Sequence, residues 1–161
     1  MRVTVDEGFR PAPWFANPHL QSMLPTLPWR RRLLASFVHG VCAASRELTI
    51  DCGEGTRLQA FAAAAPVAGG AAPPPVAGLL HGWEGSADSL YVLSLAQQLF
   101  ARGFEVLRLN LRDHGATHHL NRGLFHSCRL AEVVGALASI QRGGVVAGRK
   151  QQDAEAFLDG T

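Results

Sequence analysis

Polar and apolar residues alternate over Glu47-Leu48-Thr49-Ile50-Asp51 and again over Arg57-Leu58-Gln59-Ala60-Phe61, with turn formers from Cys52 to Thr56 between them. A period of two on either side of a turn predicts an antiparallel hairpin. The stretch from Ala62 to Pro75 is Ala, Gly and Pro without charge or periodicity and reads as a surface connection. The pattern then changes. Val76-Ala77-Gly78-Leu79-Leu80 is a continuous apolar run, which suits a strand buried on both faces. Asp88 or Ser89 can cap a helix from about Ser89 to Arg102 with Leu90, Leu93, Ala96, Leu99 and Phe100 at helical spacing, and Gly103 stands where that helix should stop. Phe104 to Asn110 reads as the next strand, so strand, helix and strand form one crossover unit with a parallel pair. A second helix is predicted from about Ser127 to Gln141, its stripe made by Leu130, Val133, Val134, Leu137 and Ile140 and its end by Gly143-Gly144. Val145 to Gly148 can open a third parallel strand, although Arg149-Lys150-Gln151-Gln152-Asp153 follows where a buried sheet wants apolar residues. The predicted fold class is α/β, with antiparallel strands leading into a mostly parallel sheet.

Residues 9–29 contain five prolines and two tryptophans, a composition that opposes a long helix but supplies large apolar anchors. An extended arm docked on the body is predicted, with a partly disordered leader as the alternative. The organisation expected is therefore an arm over 1–44, an α/β domain over 45–148 and a polar tail over 149–161. No internal repeat is present at solenoid or propeller periods.

Length and charge then narrow the classes. With 161 residues the chain is one domain or part of one, and 47% hydrophobic against 17% charged residues is enough to build a core. Fifteen basic against thirteen acidic residues leaves a charge of +2, and Arg30-Arg31-Arg32 is too short a run for a nucleic-acid stripe, so no nucleic-acid partner is expected. No run approaches the ~20 apolar residues of a membrane span. The opening Met1 to Glu7 turns acidic where a signal peptide needs its apolar segment, so a cytoplasmic location is expected. Cys42, Cys52 and Cys128 form no C-x-x-C pair and are expected as reduced thiols packed like small apolar groups.

The segment richest in candidate chemistry is His81-Gly82-Trp83-Glu84-Gly85-Ser86, at the carboxyl end of a predicted parallel strand, where open α/β sheets bind their ligands. Gly82 and Gly85 let the backbone approach a ligand closely, and such a turn can aim N–H groups at an oxyanion. By spacing alone an ordinary strand-to-helix turn fits equally well.

Taken in order, Pro18-His19-Leu20-Gln21-Ser22, His81 to Ser86, Asn110-Leu111-Arg112-Asp113-His114-Gly115 and His126-Ser127 resemble the bacterial YheT-like branch of the α/β-hydrolase superfamily. The resemblance covers roughly residues 9–142. It implies a serine carboxylic ester hydrolase, akin to esterases and lipases acting on medium-chain acyl esters and monoacylglycerols, with no cofactor and a small-molecule acyl ester as partner. It makes His81-Gly82 the oxyanion loop, the Trp83 backbone N–H one oxyanion donor, and the Trp83 side chain a wall of the acyl pocket. It places Arg112 to Gly115 beside the pocket and outside the triad.

Such enzymes attack through a Ser on a G-x-S-x-G elbow, followed in the chain by an acid and a His. None of the eight serines has glycine two positions before and two after it, so the 161 residues contain no elbow and no triad member is assigned. A complete hydrolase of this kind is expected to need roughly 200 to 250 residues, and a truncated or frameshifted copy departing from the family near Gly143 is the favoured explanation, with an intentional fragment as the other. The rival function is a non-catalytic remnant that binds acyl ligands or a complementary fragment. Ser86, Ser127 and Cys128 are substitute nucleophiles only if an activating base accompanies them. Otherwise Ser86 is a turn residue, Ser127 an N-cap and Cys128 packing. His114, His118, His119 and His126 beside Asp113 raise a metal site, but His114 and His118 share a face only on a helix, and Gly115 argues for a loop. Solvated histidines and no metal are expected there.

Overall fold

A computed structural model describes residues 8, 10, 12–24, 27–64 and 74–143. The chain divides into two compact units, 1–36 and 37–161.

In the first unit the expectation of an extended arm is corrected. Pro13–Phe15 form a 3₁₀ turn and Pro18–Met23 a short helix, α1, each with proline in its first two positions. Proline's fixed φ suits the first turn of a helix, where its missing N–H has no intrahelical partner to lose. Asn17 caps α1 by accepting the His19 N–H at 2.9 Å. Helix α2, Pro28–Ala43, also begins at a proline and runs 16 residues, through the end of the first unit into the second. Pro13, Pro18 and Pro28 thus start helices, and the two that lie wholly within 9–29 are short, as the proline content implies.

In the second unit the hairpin forms as β1, Ser45–Gly53, and β2, Thr56–Ala63, with Leu48 opposite Ala60 and Ile50 opposite Leu58. Gly53, Glu54 and Gly55 all take positive φ in the turn. Strand β2 is longer than its alternation suggests: Ala62 and Ala63, expected in the connection, pair with Leu107 and Val106. β3, Val76–Leu80, and β4, Glu105–Leu109, are parallel as predicted, and the sheet order is β1-β2-β4-β3. That order corrects the expectation for β3. Among the described residues it lies at the sheet edge, with Val76 54% and Leu80 48% exposed, while β4 sits between two strands and is buried at every residue.

Helix α3, Leu90–Ala101, ends as the sequence predicts. Gly103, at φ 83°, donates its N–H to the Phe100 carbonyl and Phe104 donates to Leu99, the paired bonds of a Schellman cap. Helix α4 is Leu130–Gly143 and starts three residues later than expected. Of its predicted stripe Ile140 is buried as expected, but Leu130, Val134 and Leu137 are exposed, and Ala136 is buried beside Ile140 instead. The reason is Gly135. A Cβ there would lie 2.0 Å from the Cys52 carbonyl oxygen, so the bare helix face at this glycine sets how α4 lies on β1.

Two apolar clusters sandwich the sheet. One joins Ile50, Leu58, Ala60, Leu107 and Leu109 to Ala136 and Ile140 of α4. The other joins Val41 at the end of α2 and Ala96 of α3 to Ala63 and Val106. The cysteines are free thiols, but only Cys52 is partly buried. Cys42 and Cys128 are exposed, which corrects their expected packing. Among the described residues no helix is long and apolar enough to cross a membrane. The suggested third parallel strand at Val145 and the polar tail lie outside the described residues, as does most of the 62–75 connection.

Candidate functional site

Parallel pairing of β3 with β4, Leu80 opposite Leu109, brings the two strand ends and their following loops to one edge of the sheet. The first loop, 81–89, is tied down from several sides. His81 is buried at 5% exposure. The Leu111 N–H donates to its Nε2 at 3.1 Å, so the ring proton sits on Nδ1 and is donated to the Gly82 carbonyl at 2.8 Å. Burial pushes His81 below its ordinary value of 6.5, the Gly82 carbonyl opposing the shift and nearby His114 adding to it, so the ring is neutral at pH 7. Both ring nitrogens are engaged. His81 is a clamp between the loop and the end of β4, and it has no lone pair left for base catalysis.

Farther along the loop, Asn110 accepts the Ala87 N–H through Oδ1 at 2.7 Å and donates through Nδ2 to Gln59 at 2.6 Å. Arg108, 2% exposed in the middle of β4, donates to the Ala87 carbonyl at 2.8 Å, to Asp88 at 3.0 Å and to Ser45 at 3.1 Å. Ser86 and Ser89 make turn bonds with each other's neighbourhood: Ser89 Oγ accepts the Ser86 N–H and Ser86 Oγ accepts the Asp88 N–H. Ser86 therefore serves the turn, and among the described residues no hydrogen bond joins its hydroxyl to a base.

Within this frame Gly82 to Gly85 make a tight turn closed by Gly85 N–H to Gly82 carbonyl at 3.0 Å, with Glu84 at φ 53°. The Gly82 N–H is occupied by the Tyr91 hydroxyl at 2.6 Å. The Trp83 and Glu84 N–H groups find no acceptor among the described residues. At Gly85 a Cβ would crowd the Tyr91 hydroxyl at 2.8 Å and the Gly82 oxygen at 3.0 Å.

Aromatic rings continue from the turn. Trp83 meets Phe125 edge-on with centroids 6.2 Å apart, Phe125 meets His114 at 4.7 Å, and His114 meets His81 at 4.7 Å. Beside them lies a cavity of about 260 Å³, walled by Leu58, Leu80, His81, Leu111, Phe125 and Val133 among others. His81 lines it, whereas Gly82 and Trp83 do not. Trp83 is 78% exposed and meets the cavity wall at Phe125.

The loop after β4 is structural at its base. Arg112, 6% exposed, donates to Glu132 from Nε at 3.0 Å and from Nη2 at 2.7 Å, to the Arg122 carbonyl at 2.7 Å and to Thr56 at 3.0 Å. Asp113 holds a positive φ of 62° and pairs with the exposed His118. Gly115 is required because a Cβ would lie 2.7 Å from Asn110 Nδ2. His114 Nδ1 pairs with the Arg112 carbonyl at 2.8 Å. Among the described residues no group of three or more His, Cys, Asp or Glu is arranged to hold a metal ion. Ser127 and Cys128 are exposed and precede α4 instead of opening it.

Sequence reasoning missed Tyr91, Phe125, Glu132 and Arg129. Only one signal pointed to such a network, the arginine inside the apolar run of β4, since a charge in a central strand must find partners. No protein-family model, curated protein or solved structure matches this chain.

Proposed function

We propose that this chain is the carbonyl-polarising half of a carboxylic ester hydrolase of the α/β-hydrolase kind. The observation that carries the reading is the free Trp83 N–H in a preorganised turn between a parallel strand and its following helix. Hydrolases with that fold take one oxyanion donor from the loop at this place in the chain. Donors already held in position cost no reorganisation as charge develops on the carbonyl oxygen. The Trp83 N–H, with Glu84 next to it, would receive that oxygen. Tyr91 and His81 hold the turn, and Phe125 and Trp83 offer apolar surface to the acyl group.

No G-x-S-x-G elbow occurs in the 161 residues, so on this reading the chain alone binds an acyl ester without cleaving it. Amide spectra recorded with ethyl hexanoate test this, and the Trp83 and Glu84 signals should move ahead of all others. p-Nitrophenyl butyrate should show no burst, and a fluorophosphonate probe should label no serine. A labelled serine would overturn the division of labour, and unmoved turn amides would overturn the reading itself.

A further inference from the structure

The first unit keeps its large apolar side chains in water. Trp14, in the 3₁₀ turn, is 69% exposed, with only Phe15 against its ring at 4.8 Å. In α1, Leu20 and Met23 stand three apart, on one face of the helix, and both are exposed. In the first-unit part of α2, Trp29 and Leu33 stand four apart and are 51% and 63% exposed, whereas the half-buried Arg30 and Leu34, also four apart, take the next face round. None of the side chains described in this unit is buried. Exposure of this kind is costly and marks a surface that another body covers.

Charge indicates which body. From Gly8 to Ser45 the chain has four arginines and no aspartate or glutamate. Arg31 and Arg32 are exposed and enter no ion pair among the described residues. Arg32 follows Trp29 by three and precedes Leu33, so it borders the apolar pair, and a side chain of that length lays its stem on an apolar surface while its charge stays at the edge. A bilayer with acidic headgroups answers both features, with acyl chains below and phosphates above. Tryptophan settles at that boundary because its ring is apolar and its N–H is not. The five apolar residues also come from three separate elements, which a fluid surface meets without needing a matching shape.

We propose that the first unit is an anchor for an anionic lipid surface. Trp14, Leu20, Met23, Trp29 and Leu33 enter the headgroup boundary, and Arg31 and Arg32 hold the acidic lipids beside them, as amphipathic basic helices do when they lie in the plane of a membrane. Among the described residues no helix is long and apolar enough to go further and cross it. Nothing in this anchor involves the turn at Gly82 to Gly85, so it stands or falls apart from the ester reading.

Flotation of the full chain with vesicles tests the anchor, since bound protein rises with the lipid and self-associated protein sinks. Vesicles of phosphatidylglycerol and phosphatidylcholine in equal parts should bind at least about tenfold more tightly than phosphatidylcholine alone, and high salt should remove most of that difference. Arg31→Gln with Arg32→Gln should weaken binding to the acidic vesicles about thirtyfold, each arginine near an acidic leaflet being worth about fivefold. Trp29→Ser with Leu33→Ser should weaken it at least about tenfold. In Trp83→Phe the remaining indoles are those of Trp14 and Trp29, and brominated acyl chains should quench their emission. Absence of flotation on acidic vesicles would overturn the anchor and leave this face to a protein partner. Equal binding to both lipids, binding unchanged in either double variant, or unquenched emission would each overturn it as well. The comparison of lipids uses the natural chain, so it decides the matter even if a variant does not fold.

Discussion

The Tyr91 hydroxyl accepts the Gly82 N–H at 2.6 Å, reaching back nine residues from the first turn of α3 to the turn that follows β3. Strand end, turn and helix start thereby become one unit, and the Gly82 N–H is taken out of contention as a ligand donor. Tyr91→Phe should leave the far-ultraviolet spectrum unchanged and cost about 1 kcal/mol or less, since Tyr91 is 55% exposed and loses one hydrogen bond. The Gly82 amide should exchange with solvent markedly faster. Unchanged exchange would show that the hydroxyl does not hold the turn.

Gly135→Ala tests the contact between α4 and β1. In an unhindered helix Ala is better than Gly by roughly 1 kcal/mol. Here the added methyl would lie 2.0 Å from the Cys52 carbonyl oxygen, which is backbone and cannot swing away. A net loss of about 1–3 kcal/mol is expected in urea titration. The opposite sign would mean that α4 sits farther from the hairpin.

Glu132→Gln should be costly. Its Arg112 partner has a side chain only 7% exposed, and removing one member of a buried pair costs about 3–5 kcal/mol. In the natural chain the Glu132 carboxyl lies below its ordinary 4.5, so the unfolded chain takes up the proton first as acid is added. The stabilisation is fully present above pH 4.5 and drains as pH falls through the folded value. The variant should lack that component when thermal midpoints are followed from pH 6 to 3.

His81 supplies a second acid-sensitive component at higher pH. Its folded value is depressed below 6.5, so its contribution is complete above pH 6.5 and declines as the pH falls through the folded value. Subtracting the pH profile of His81→Gln from that of the natural chain should isolate this slope. A difference profile flat between pH 7.5 and 5 would contradict the clamped neutral ring.

Iodoacetamide should sort the three thiols. Cys42 and Cys128 are exposed and should alkylate in the folded chain at pH 8. Burial pushes the Cys52 thiol up to about 11, the Leu58 backbone opposing the shift, so little reactive thiolate exists there. Its modification should wait for urea.

The hairpin, the helix ending at Gly103 and the parallel pair were legible because each rests on a local pattern: alternation, a cap, an apolar run. Three misreadings were of things the pattern does not encode locally. Whether Val76 to Leu80 is central or at an edge depends on where β2 pairs, and β2 chose β4. The buried face of α4 follows from one glycine meeting a distant carbonyl, so the visible leucine stripe pointed elsewhere. An extended arm gives no role to Pro13, Pro18 and Pro28 as helix starts, yet each opens one. At the candidate site the His81-Gly82 turn stood out in the sequence, yet the clamping role of His81 became apparent only with Leu111 placed at its Nε2. The bond from Arg112 to Glu132 left no trace, because its partners stand twenty residues apart.

Strand β3 has one further consequence. Among the described residues nothing pairs with its outer side, and its five residues carry neither charge nor proline, the usual means of discouraging a stray neighbour. Concentrating the isolated chain should therefore end in fibrous or amorphous precipitate with added intermolecular β-sheet signal. A single lysine in place of Val76, half-exposed on that edge, should raise the concentration at which this begins.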